Sequence, residues 1–186
     1  MVQSDIVGST DLLREAGERY PGLLVRHRAL IAEAVRRLGG RFLSHAGDGT
    51  LAVFDDANHA IAASVEAQRA LAAERWPEGL APRVRMGVHA GDVYEIDGEP
   101  VGLAIHQGAR IMALAEAGQV MVSATAAAEA SWSETYAVAD AGWHAVRDHT
   151  GPIRLHQVVA DGLTVVRSAR ATTIDLTDRT RHAAAV

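Results

Sequence analysis

Two aspartates are placed where they could do chemistry. Asp5 opens the run Asp5-Ile6-Val7-Gly8-Ser9-Thr10, and Asp48 stands between glycines in His45-Ala46-Gly47-Asp48-Gly49-Thr50. Each acid lies where an apolar stretch meets a tight turn. If those stretches pair as strands, two anionic groups converge on divalent cations beside a helix start, a geometry that suits phosphate. Each residue also has a plainer account. Gly-Asp-Gly suits a hairpin turn sterically, and Ser9-Thr10 suits helix capping. Arg110, flanked by Ile105, Ile111 and Met112, could be an exposed arginine over an apolar helix face. Arg85 could be an outward strand residue, and His106 either a packed helical residue or part of a site. The nine histidines show no zinc spacing, so none is assigned to metal.

The elements that must position the two acids can be traced by periodicity. After Asp5 the pattern turns helical, and Pro21 begins a second helix carrying Leu23, Leu24, Leu30, Ile31, Ala34 and Leu38, which Gly39-Gly40 ends. Residues 41–54 read as two strands around Gly47-Asp48-Gly49. Asp55-Asp56 caps an alanine-rich helix to about Trp76. Arg83 to His89 alternates as a half-buried strand does, and Ala90-Gly91-Asp92 turns it into Val93-Tyr94-Glu95. A helix is expected over 102–116, then strands over 119–123, 135–138, 143–146 and 153–159. The predicted fold class is α+β, with a mainly antiparallel sheet and helices on one face. Gln3 and Ser4, polar residues in a central strand, predict that Asp5 is loosely held. The domain is expected to span residues 1–159, with 160–186 a tail or linker stump.

Composition narrows the function. The chain has 186 residues, 48% of them apolar, enough for one domain with a full core. It has no cysteine, which excludes thiolate metal sites and disulfides and fits a reducing cytoplasm, the expected location. No apolar run reaches membrane-spanning length, and a net charge of −5 argues against a nucleic-acid surface. All 18 basic residues are arginine, so mechanisms needing a Schiff-base or Walker-type lysine are excluded.

Five segments, Asp5 to Thr10, Gly39 to Phe54, Arg83 to Asp92, Val101 to Arg110 and Gly118 to Ser123, together resemble the catalytic domain of class III adenylyl and guanylyl cyclases, in particular the bacterial branch. The resemblance covers roughly residues 1–159. It implies a ferredoxin-like, palm-type βαββαβ core with additional strands, working as a homodimer with active sites at the interface. It implies Asp5 and Asp48 as metal ligands, with the Ile6 carbonyl, for two Mg²⁺ or Mn²⁺ ions. Backbone amides of Val7, Gly8, Ser9 and Thr10 would meet the triphosphate, and Arg85 and Arg147 its outer phosphates. Arg110 matches the transition-state arginine, and His106 stands where the family has an asparagine. The implied reaction converts a nucleoside triphosphate, ATP ahead of GTP, to a 3′,5′-cyclic nucleotide and pyrophosphate.

The sequence departs from the family at the purine. Ser44 occupies the place of the adenine-selecting lysine, and Glu99 that of its aspartate partner. Losing one charge-assisted hydrogen bond costs about 1.5–3 kcal/mol. Two other readings stay open: a degenerate cyclase domain that regulates by binding nucleotide or a partner, and a diguanylate cyclase. In the latter, Gly49 and Thr50 stand where the hairpin needs an acid and a phenylalanine.

Overall fold

The computed structural model describes residues 1–131, 133–146 and 151–166. Strand β1 (Val2–Ile6) runs through the middle of a seven-stranded sheet. It pairs antiparallel with β3 (Gly49–Val53) on one side and with β4 (Val84–Val88) on the other. Outside β3 lies β2 (Arg41–Ala46). Beyond β4 come β7 (Val120–Ser123), β9 (Ile153–Val159) and β8 (Ala137–His144), in that order. The order β2-β3-β1-β4 is that of a ferredoxin-like βαββαβ core, and every pair is antiparallel except β4–β7. A separate hairpin joins β5 (Tyr94–Ile96) to β6 (Glu99–Val101). Its two turn residues, Asp97 and Gly98, both take positive φ, as a tight primed turn requires.

The sheet's two faces follow from side-chain alternation. Val2 and Ile6 of β1 and Val84, Met86 and Val88 of β4 face the main core. Against that face pack α2 (Tyr20–Arg37) and α3 (Ala57–Ala73), through Leu23, Ile31, Val35, Ile61, Val65 and Leu71. Asp56 caps α3 by accepting a hydrogen bond from the His59 N–H at 3.0 Å. The opposite face carries α4 (Leu103–Ala113). Here Gly87 comes so close to the helix that a β-carbon on it would lie 2.7 Å from the Met112 backbone nitrogen. Met1, Leu51 and Ala104 form a second cluster on this side. The expected helical layer is α2 and α3; α4 covers the opposite face as well, where Gly87 of β4 and Gly108 of α4 let the helix approach the sheet.

Two further expectations change. The strands read as 135–138 and 143–146 are one strand, β8, whose ladder with β9 shifts register between Asp140 and Gly142. Of the two polar residues of β1, Ser4 is held by its neighbour strand. Ser4 is buried and its hydroxyl meets that of Thr50, its cross-strand partner, at 2.6 Å. The short strand β6 and the one-and-a-half-turn helix α5 (Ala124–Glu129) have too few residues to show a period. Past β9 the chain stays attached: Leu163 packs on the core, and the Thr164 N–H donates to the Gly118 carbonyl at 3.0 Å. Among the described residues no helix is long and apolar enough to cross a membrane.

Candidate active site

Asp5 is the penultimate residue of β1, and Asp48 belongs to the two-residue turn between β2 and β3. Because β3 and β1 are neighbours, the turn arrives beside the end of β1. There Asp48 Oδ2 accepts a hydrogen bond from the Ile6 N–H at 3.2 Å. Gly47, at φ 59°, supplies the positive φ of the turn. Its carbonyl accepts from the Arg28 guanidinium of α2, a second anchor that no local sequence pattern announces.

The two carboxylates interact. Burial lifts the Asp5 carboxyl above its ordinary range; Arg85 pulls it back down, and the hydrogen bond and charge of Asp48 push it up again. Arg85 is the cross-strand partner of Asp5. Its Nη2 and Nε donate to Asp5 Oδ2 at 2.7 and 3.2 Å, and its Nη1 donates to the Ala113 carbonyl at 3.1 Å. The Tyr20 phenol feels the same acidic pair: burial, then the charge of Asp48, raises its pKa.

Immediately after β1 the chain enters α1 (Ser9–Ala16). Gly8 is the N-cap, in the left-handed conformation at φ 73°, and its carbonyl accepts from the N–H groups of Asp11 and Leu12 at 3.0 Å each. No side chain caps this helix, so the capping account of Ser9 and Thr10 does not hold. The first-turn amides of a helix have no intrahelical partner. Those of Gly8, Ser9 and Thr10 follow the end of β1 as a set of this kind. Val7 is corrected out of that set: its N–H donates to the Arg83 carbonyl at 2.7 Å and is not available to a phosphate.

The donors present fit a hard divalent cation. Two carboxylates lie together at the edge of solvent, beside the carbonyl end of β1 at Ile6. Among the described residues no cluster of three or more histidine, cysteine, aspartate or glutamate residues offers an alternative. A magnesium-type ion takes one or two protein carboxylates and completes its shell with water and substrate phosphates.

Arg110 lies elsewhere. It lines a groove of about 720 Å³ on the α4 side of the sheet, with His89, Gln107, Trp143 and Arg154. Neither Asp5 nor Asp48 borders this groove. His89 Nε2 and Gln107 Oε1 are 3.1 Å apart across it, and burial lowers the His89 pKa. Arg154 forms an ion pair with both carboxylate oxygens of Asp140, at 3.1 Å each. His106, four residues before Arg110, is on the exposed side of α4. Ser44 is half-buried on β2, just after a register irregularity, and Glu99 is exposed at the start of β6, a strand that packs against β2. Arg147 lies outside the described residues.

One chain therefore brings together Asp5, Ile6, Asp48, Gly8, Ser9, Thr10 and Arg85, and holds Arg110 apart. The sequence reading missed Arg28, Gln107 and Trp143. Trp143, a large aromatic on β8, is 62% exposed.

No family model matches the chain. It is 28% identical over 158 residues, 83% of its length, to a Rhizobium meliloti protein provisionally named adenylate cyclase 3, of which it covers 27%. The chain spans 27–42% of the length of the curated relatives it matches. Among solved structures, an adenylate/guanylate cyclase/hydrolase from Silicibacter pomeroyi superposes with a TM-score of 0.71 at 29% identity, over 86% of this chain and 95% of that one. An adenylate cyclase from Trypanosoma brucei, solved in its monomeric state, gives 0.78 at 18% identity, over 91% and 92%.

Proposed function

From a chain that has the fold of the class III adenylyl and guanylyl cyclase catalytic domains, we infer half of a homodimeric nucleotidyl cyclase. It would convert ATP, ahead of GTP, to a 3′,5′-cyclic nucleotide and pyrophosphate. The observation that carries this reading is the meeting of Asp48 with the Ile6 N–H beside Asp5. Two acids 43 residues apart in sequence share one solvent-facing corner, next to a helix start without a side-chain cap.

In this reading Asp5, Asp48 and the Ile6 carbonyl hold two Mg²⁺ or Mn²⁺ ions. Such ions supply Lewis acidity at the phosphates and lower the pKa of the attacking hydroxyl. The amides of Gly8, Ser9 and Thr10 receive the phosphate oxygens, and Arg85 adds a guanidinium within reach of the same corner. The ribose 3′-oxygen attacks the α-phosphorus, the bond from that phosphorus to the bridging oxygen breaks, pyrophosphate leaves and one proton is released.

Arg110 meets the charge that builds on the phosphoryl oxygens. Arginines in this role contribute on the order of 10³-fold in rate. Because the acids and Arg110 occupy different parts of one chain, a complete site takes the acids from one protomer and the α4 groove of the other. His106 and Arg147 are assigned to the ribose and the outer phosphates of that composite site. Ser44 and Glu99, on adjacent elements of one chain, are assigned to the purine edge.

The test is turnover by the purified protein with Mn²⁺ and ATP or GTP. Cyclic nucleotide should form, and Asp48→Ala should abolish it with the fold intact. Equal turnover by the variant would reject the metal assignment. A second reading, a regulatory domain that binds nucleotide without turnover, draws on the replacement of the purine-selecting lysine by Ser44. Tight nucleotide binding by calorimetry, with no product over hours, would favour it.

A further inference from the structure

Asp5 is not an open carboxylate. The guanidinium of Arg85 takes its Oδ2 through two nitrogens, at 2.7 and 3.2 Å. The pair sits at directly opposed positions of the β1–β4 ladder, so backbone hydrogen bonds hold it together. Both side chains are about three-quarters shielded, 24% exposed for Asp5 and 26% for Arg85, and Asp48 pushes on Asp5 from its other side. A carboxylate in that position needs a positive neighbour, because a second buried-edge negative charge raises its energy and an unpaired one is costly. Arg85 is that neighbour in this structure, and it holds one of the two oxygens, Oδ2, and the charge that a divalent cation would draw on.

We infer that Arg85 is a positioning residue that occupies Asp5 before metal arrives and is exchanged for the first divalent cation. The inference rests on the reading of Asp5 and Asp48 as cation ligands and adds to it a competitor built into the strand next door. The third donor explains why the guanidinium stays in place once it lets go: Nη1 is bound to the Ala113 carbonyl at the end of α4. Released from Asp5, Nη2 and Nε face the phosphate oxygens that enter with the metal. Arg85 thus keeps Asp5 turned toward it while the site is empty, and passes its charge to the phosphates when the site fills.

The sign of the expected effect separates this role from simple structural support. Mn²⁺ binding to the nucleotide-free full chain is followed by the paramagnetic resonance signal of the free ion, for the wild type, Arg85→Met, Arg85→Lys and Asp48→Ala. Removing a competing charge-assisted bond should tighten Mn²⁺ binding by Arg85→Met about tenfold, whereas damage to the strand would weaken it. Arg85→Lys, which keeps the charge but loses the two-pronged grip, should bind between wild type and Arg85→Met. Asp48→Ala should bind at least about tenfold more weakly than wild type. Arg85→Met binding no tighter than wild type, with Asp48→Ala weakened, overturns the exchange and leaves the metal reading standing. Equal binding by wild type and Asp48→Ala overturns both. If Arg85→Met melts early, Arg85→Lys decides, since binding no tighter than wild type would overturn the exchange.

Discussion

Asp48 and Ile6 are joined across 42 residues of sequence: the Asp48 carboxylate accepts the Ile6 backbone N–H at 3.2 Å. A turn residue on a hairpin tip is ordinarily free to rotate. This one is held by the backbone of the neighbouring strand, and its hydrogen bonding and charge reach Asp5. The two acids are brought together within one chain.

Arg110 lines a groove that neither acid borders, and the proposed shared site therefore predicts complementation. Asp48→Ala and Arg110→Ala should each be inactive alone, because every site in either homodimer lacks one half. Mixed and allowed to exchange, half the dimers pair one variant with the other, and each such dimer has one intact site of two. About a quarter of wild-type turnover should return. Cyclic nucleotide assays on the mixture check this, and no recovery after subunit exchange has been verified would exclude the shared site.

The Ser4–Thr50 hydroxyl pair predicts a coupling energy. Replacing either residue alone by alanine strands the other hydroxyl inside the sheet, a cost of about 1–3 kcal/mol. Replacing both removes the orphan and should restore part of the loss, with a coupling of about 1 kcal/mol. Urea unfolding of the two single variants and the double variant measures it. Additive losses would mean the 2.6 Å contact contributes nothing.

Gly87→Ala predicts a linked loss of stability and turnover. The added carbon would lie 2.7 and 2.8 Å from backbone atoms of Met112, which cannot rotate aside, so α4 must move away from β4. The expected cost is about 1–3 kcal/mol, and Arg110 moves with the helix. Thermal melts and turnover together test this, and a variant with wild-type values for both would show that α4 adjusts freely.

His27 predicts acid sensitivity. It is wholly buried on α2, neither ring nitrogen has a partner among the described residues, and burial lowers its pKa from 6.5 to about 4. Between those values the unfolded chain binds a proton that the folded chain refuses. Stability therefore falls as pH drops from 6.5 and reaches its full loss, about 3 kcal/mol, below about pH 4. His27→Phe should flatten that part of the profile in urea melts between pH 4 and 7. Parallel profiles for the two proteins would assign the acid loss to other groups.

Much of the fold was legible because its signals are local. Pro21 at the start of α2, Gly39-Gly40 at its end, Asp56 at the cap of α3 and the glycine-flanked turn at Asp48 each act within a few residues. The second face of the sheet was not legible, since alternation places a residue on one side without saying what covers that side. Gly87 and Gly108 carried the clue: Gly108 lies against the Gln3 side chain, and both glycines let α4 approach the sheet. The site was half legible. Residue type and spacing pointed to Asp5 and Asp48, whereas the partnership of Arg85 with Asp5 depends on a register between strands 80 residues apart. The use of the Val7 amide by Arg83 depends on that same register.

The position of β1 between β3 and β4 governs when the protein can become competent during its own synthesis. The first strand made must wait for residues 84–88 before its second neighbour exists. Contacts of such long sequence separation close slowly. A nascent chain released short of β4 would carry both aspartates and lack the central strand's second ladder. A chain ended before β4 therefore carries Asp5 without the register that sets it against Arg85.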